Sequence, residues 1–94
     1  MEIEVNANFK LHGIFDPPCH FTFPKRMTLK ELLQCLDTRW ASVHLMNNDE
    51  LGDDVSEVFI NGKRHFDLPG GLETKLREQD RIRIELYMAP LGGG

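Results

Sequence analysis

Apolar residues recur with a period of two at both ends of this chain and with a helical period only once between them. Ile3, Val5, Ala7, Phe9 and Leu11 alternate with Glu4, Asn6, Asn8 and Lys10, so one face of an N-terminal strand turns toward a core. Ile82, Ile84 and Leu86 alternate in the same way with Arg81, Arg83 and Glu85. Between them Leu29, Leu32, Leu33, Leu36 and Trp40 fall at i, i+3, i+4, i+7 and i+11, the stripe of a single amphipathic helix. One helix with strands at both ends leaves few ways to bury that stripe. The simplest sets it against one face of a sheet whose middle is formed by the first and last strands side by side. A parallel pair is allowed there, because the helix supplies the crossover that such a pair needs.

Local signals fill in the order. His12-Gly13 and Asp16-Pro17-Pro18 predict an enlarged turn, after which Phe21 and Phe23 alternate with His20 and Thr22 in a second strand stopped by Pro24. Thr28-Leu29-Lys30-Glu31 has the form of a capping box and predicts a helix start. Residues 41–57 read as an irregular connection with a short helical turn around Val43 to Met46. Val58-Phe59-Ile60, the turn Asn61-Gly62, and Lys63 to Phe66 read as a hairpin. Leu68 to Leu76 is expected to be a loop with one helical turn. The expected fold class is α+β, a β-grasp arrangement with a mixed sheet packed on one main helix. Residues 1–90 are expected to form the domain and 91–94 a flexible glycine tail.

Ninety-four residues support one core but leave little for an enclosed substrate pocket, which disfavours a self-sufficient enzyme. The formal net charge of −4 argues against a nucleic-acid partner, since phosphate backbones require clustered Lys and Arg. Lys25-Arg26 and Lys63-Arg64 read as solvated turn residues. No apolar run approaches the about 20 residues of a membrane span, and Met1-Glu2-Ile3-Glu4 lacks the basic start of a secretory signal. No membrane partner and a cytoplasmic location are expected. Cys19, Cys35 and histidines 12, 20, 44 and 65 have no metal-ligand spacing. The acidic residues Asp49, Glu50, Asp53 and Asp54 lack the spacing of a calcium loop and read as solvated.

The chain ends in Gly92-Gly93-Gly94. Residues without side chains can extend a carboxylate through a narrow channel and let another protein's backbone come close; glycine equally suits a disordered end. In the first case the reactive group is the C-terminal carboxylate of Gly94. Strand parity supplies a companion surface. With Val58 and Ile60 turned to the core, Phe59 faces away, and Arg83 and Tyr87 share the outward side of the last strand with Arg81 and Glu85. Aromatics interleaved with arginine are common in partner-binding patches. Phe59, Arg83 and Tyr87, with Leu91 next to the glycines, are therefore candidate docking residues, although exposed aromatics and charged faces also occur on ordinary solvated sheets.

Three segments resemble the ubiquitin-like sulfur carriers, and among them the small subunits of molybdopterin synthases. They are Thr28 to Leu33; Val58-Phe59-Ile60-Asn61-Gly62; and Gly71-Leu72-Glu73-Thr74-Lys75-Leu76-Arg77-Glu78-Gln79-Asp80-Arg81-Ile82, which leads toward the terminal glycines. The sequence departs from the family's pattern at Gln79, where glycine is usual, so the turn is expected to take a conformation that a non-glycine residue tolerates. It also departs in its tail, Met88-Ala89-Pro90-Leu91 followed by three glycines.

The resemblance implies a carrier with no catalytic side chains and no tightly bound cofactor. A partner adenylyltransferase of the ubiquitin-activating type would use ATP and magnesium to adenylate Gly94. A sulfur donor enzyme would then convert the adenylate to a thiocarboxylate, and the large subunit of a molybdopterin synthase would receive the tail, with Gly92 and Gly93 lining its channel. Other readings remain open: a ubiquitin-like modifier conjugated through Gly94, a sulfur carrier for thiamine, tRNA thiolation or cysteine synthesis, and an interaction module whose glycines do nothing.

Overall fold

The computed structural model of the chain describes residues 1–87. Its centre is a parallel pair of the first and last strands, the arrangement that the helical crossover allows. Strand β1 (Glu2–Ala7) runs beside β7 (Arg81–Leu86), with Glu4 opposite Arg81, Val5 opposite Ile82 and Ala7 opposite Ile84. Strand β2 (Cys19–Thr22) pairs antiparallel with β1, β5 (Val55–Ile60) antiparallel with β7, and β6 (Lys63–Arg64) antiparallel with β5. The sheet order is β2-β1-β7-β5-β6. Helix α1 (Leu29–Arg39) covers one face, and a separate two-stranded ribbon joins β3 (Met46–Asn47) to β4 (Glu50–Leu51). This is an α+β protein with the β-grasp fold.

Helix α1 starts where the capping box predicts. The Glu31 amide donates to Thr28 Oγ1 at 3.2 Å and the Thr28 amide donates to Glu31 Oε1 at 2.9 Å, which occupies amides that would otherwise lack acceptors. Leu29, Leu32, Leu33 and Leu36 are fully buried against Ile3, Val5, Val58, Ile82 and Ile84 in one core. Trp40 closes the stripe and anchors an aromatic cluster, with the Phe15 ring 4.5 Å away and the Phe9 ring edge-on at 6.2 Å.

Several elements differ from expectation. Strand β1 stops at Ala7, short of Phe9 and Leu11, because the Asn8 side chain takes over the ladder: its Nδ2 donates to Leu86 O at 3.1 Å and its Oδ1 accepts from Leu86 N at 2.9 Å. Phe9 then packs half-buried among the aromatics. Strand β5 begins at Val55, earlier than its alternation suggests, because a bulge between Val55 and Glu57 resets the parity and lets Val55, Val58 and Ile60 all face the core. Around Val43 to Met46 there is no helical turn. Asp37 Oδ1 accepts from the Leu45 amide at 2.7 Å, and Asn48 at φ +59 turns β3 into β4. The return strand after Gly62 is only two residues long, since His65–Asp67 coils into a 3-10 turn closed by the Leu68 amide on His65 O. The helical turn expected between Leu68 and Leu76 is a 3-10 turn, Gly71–Glu73.

Gln79 takes the left-handed conformation that glycine favours, with φ +70. Its amide donates to Glu2 O at 2.8 Å and its Nε2 to Glu2 Oε1 at 3.1 Å, which holds the turn in register with the start of β1. Lys30 ties α1 to two neighbours, with Nζ 2.7 Å from Glu73 Oε2 and 3.6 Å from Asp49 Oδ1. The hydrogen bond to Glu73, with the charges of Glu73 and Asp49, raises the Lys30 pKa above its ordinary value against a smaller desolvation effect.

Two outcomes follow. Replacing Gln79→Gly changes stability by less than about 1 kcal/mol, because relief of the left-handed residue is offset by the extra chain entropy of glycine and by loss of the Nε2 bond to Glu2 Oε1; a chemical-denaturation midpoint close to that of the wild type is the check. The raised Lys30 pKa favours folding while the ammonium is charged, so this contribution is complete below the unfolded lysine pKa and fades as pH climbs through the folded one. Thermal midpoints of the wild type and Lys30→Met should therefore converge on the alkaline limb and stay apart at neutral pH.

Candidate functional site

Because α1 lies on one face of the sheet, the other face is left to residues of opposite parity. The register aligns them across four strands: Asn6 on β1 is opposite Arg83 on β7, Arg83 is opposite Phe59 on β5, and Phe59 is opposite Arg64 on β6. A neighbouring row sets His20 beside Glu4 and Glu4 beside Arg81, with His20 Nε2 3.3 Å from Glu4 Oε1. The bulge in β5 places Glu57 opposite Glu85, a like-charged pair that is unfavourable unless neutralised. Each carboxylate has its own arginine: Arg83 Nε lies 2.9 Å from Glu85 Oε2 and Arg64 Nη1 3.9 Å from Glu57 Oε2. A shallow depression of about 590 Å³ results, lined by Glu4, Asn6, Phe59, Arg81, Arg83 and Glu85 among others.

Phe59 and Arg83, assigned to docking on parity alone, are thus direct cross-strand partners. Tyr87 lies outside the depression, just beyond the end of β7, 67% exposed, with its amide donating to Asp54 O at 3.1 Å. Leu91, Gly92, Gly93 and Gly94 lie outside the described residues. Glu4, Asn6 and Arg64 were not singled out in the sequence. The outward parity of β1, combined with the parallel pairing to β7, is the signal that identifies the first two. Phe66 extends the surface beyond β6 as an exposed ring with the Arg64 guanidinium 5.0 Å from its centroid.

The start of β7 is held by a polar clasp. Asn61 and Gly62 have φ +51 and +87, the two positive angles of a tight hairpin turn. Asn61 Nδ2 donates to Asp80 Oδ1 at 2.9 Å, Asn61 Oδ1 accepts from the Arg81 amide at 2.9 Å, and Asp80 Oδ2 accepts from the Arg77 amide at 2.8 Å. The Asn-Gly segment and the segment ending in Asp80 therefore meet in space, which gives their joint presence in the sequence a physical reason. Among the described residues, no three His, Cys, Asp or Glu side chains converge as metal ligands, and no helix is long and apolar enough to cross a membrane.

A mixed five-stranded sheet with a central parallel pair, one covering helix and an open outer face defines the class as β-grasp. No protein-family model matches the chain and no curated protein matches it. Among solved structures it is similar to the solution structure of the Haloferax volcanii HVO 2177 protein, with a TM-score of 0.74 and 21% identity over 100% of this chain and 87% of that one. At that identity the likeness concerns the fold.

Asn61→Ala removes two hydrogen bonds of the clasp and leaves alanine at positive φ, so it should cost about 1–3 kcal/mol. Urea denaturation reads the loss, and an unchanged midpoint would mean that the clasp carries no stability.

Proposed function

We propose that this protein is a sulfur carrier whose Gly94 carboxylate is adenylated by a partner enzyme and converted to a thiocarboxylate, and that the sulfur goes to molybdopterin assembly. The observation that carries this reading is the position of β7. The last strand is the middle strand of the sheet, clamped on both sides, and it delivers the chain at exposed Tyr87. Residues 88–94, fully extended, span at most about 25 Å. That length can put a terminal carboxylate inside another protein while the folded body stays outside.

The chemistry explains why such a chain acts with partners. A carboxylate resists nucleophiles because of its charge and because oxide is a poor leaving group. Joining it to AMP, with release of pyrophosphate from ATP, makes the carbonyl carbon electrophilic; the outer sulfur of a donor persulfide can then displace AMP to form an acyl disulfide, and a second thiol of the donor enzyme cleaves its S–S bond, becoming disulfide-linked to the first and releasing the thiocarboxylate. The resulting thiocarboxylate is a soft nucleophile that the large subunit of a synthase can direct at a pterin precursor. On this reading charge stabilisation during adenylation belongs to the activating enzyme. This chain contributes reach through its glycines and recognition through the Phe59–Arg83 face.

The test is intact mass after incubation with an adenylyltransferase of the ubiquitin-activating type, ATP, magnesium and a sulfur donor enzyme. The expected product has one oxygen of the Gly94 carboxylate replaced by sulfur, and deletion of Gly93 and Gly94 abolishes it. Isopeptide-linked conjugates in place of that product would make the chain a protein modifier. A mass that does not change with any such enzyme would overturn the carrier reading.

A further inference from the structure

A second surface lies away from the outer sheet face. The segment before α1 and the segment before β7 meet in an isolated antiparallel bridge, Thr28 opposite Lys75, with the Leu29 amide donating to Thr74 O and the Leu76 amide to Met27 O. The groove along this bridge has a volume of about 620 Å³ and shares no lining residue with the outer depression. Its base is half-buried Met27 with Leu76, which is itself 1% exposed. Arg26, Lys75 and Arg77 rise around it, all exposed, and Lys25 stands beside Arg26.

Three cations line this groove, Arg26, Lys75 and Arg77, against the one carboxylate of Glu31. Among the described residues, none of the Arg26, Lys75 or Arg77 side chains makes an ion pair. Glu31, which lines the groove, is hydrogen-bonded in the capping box, and the nearby Glu78 accepts from the Glu2 amide at 2.9 Å and lies 4.0 Å from the Met1 amine. A chain with a net charge of −4 thus gathers three cations without ion-pair partners and an apolar base in one place.

We infer that this groove docks an acidic protein segment with interspersed apolar residues. Long cationic arms match carboxylates, and methionine offers a soft contact that adapts to varied apolar side chains. A small anion fits less well, because the helix N-terminus beneath is already occupied by the Glu31 carboxylate. Nucleic acid fits less well, because a short basic rim on an acidic protein cannot follow a phosphate backbone. The groove lies at the start of β7 and Tyr87 at its end, separated by a strand about 20 Å long. A partner held here leaves the chain exit and the outer face open, so the inference stands whether or not Gly94 carries sulfur.

The test uses the full chain, isotopically labelled, and a dye-labelled peptide of sequence Glu-Asp-Leu-Glu-Glu-Leu-Asp. Saturable binding is expected, with amide shifts centred on Met27, Thr28 and residues 75–77. Raised salt should weaken it, and Arg26→Glu with Arg77→Glu should weaken it by at least about tenfold. Lys75→Glu alone acts in the same direction. All three positions are exposed, so an unchanged thermal midpoint confirms that the fold is intact. Deletion of Gly93 and Gly94 should leave peptide affinity unchanged. Absence of binding, shifts centred on Phe59 and Arg83, or indifference to charge reversal would each overturn the inference. So would tighter binding of pyrophosphate or of single-stranded oligonucleotide at the same residues.

Discussion

The parallel contact between β1 and β7 is the constraint on which the rest of the structure depends. Parallel neighbours cannot be joined by a tight turn, so everything between Asn8 and Asp80 has to be accommodated while the two ends of the chain lie side by side. Helix α1 makes the crossover and buries its leucines on the face that β1 and β7 create. Each such side chain removed from water contributes about 1.5–3 kcal/mol, so the central pair and the helix stabilise one another. Strands β2 and β5 then cover the two flanks of the pair, and the small ribbon of β3 and β4 fills the route back from the helix.

Much of this was legible because the physical signals were local. The alternation of Ile3, Val5 and Ala7 needs only one core face to be read, the capping box at Thr28 and Glu31 needs four consecutive residues, and the Asn61-Gly62 turn declares its positive angles by residue type. What could not be read depended on distant partners. Asn8 ends β1 because its amide side chain finds Leu86 far along the sequence. The bulge in β5 appears only against the register of β7, and without it Val55 has the wrong parity for the core. Gln79 accepts a left-handed angle because Glu2 supplies both acceptors, which the residue's own preferences do not announce. Within the candidate site, Phe59 and Arg83 follow from parity, whereas Glu4 and Asn6 join them only once the first and last strands are known to be adjacent.

The fold separates its surfaces by the polarity of β7. The Asn61–Asp80 clasp and the basic groove belong to the end where the strand begins. Tyr87 and the departing chain belong to the end where it finishes, and the outer face with Phe59 and Arg83 lies between. Arg26 illustrates how the fold changes the meaning of a residue: a cation in a turn is ordinary in the sequence, but the Thr28–Lys75 bridge brings it to Lys75 and Arg77 and makes a positive rim.

Asn8 has a mechanical consequence. Strands β1 and β7 point the same way, so a pull between the beginning of the chain and the residues that follow Tyr87 slides the two strands lengthwise instead of opening them from one end. All the ladder bonds then bear load together, and the paired Asn8 amide adds two more at the point where the force enters. Traction on the chain beyond Tyr87 would meet a joint that resists as a unit, and the body would be dragged along before it was unravelled.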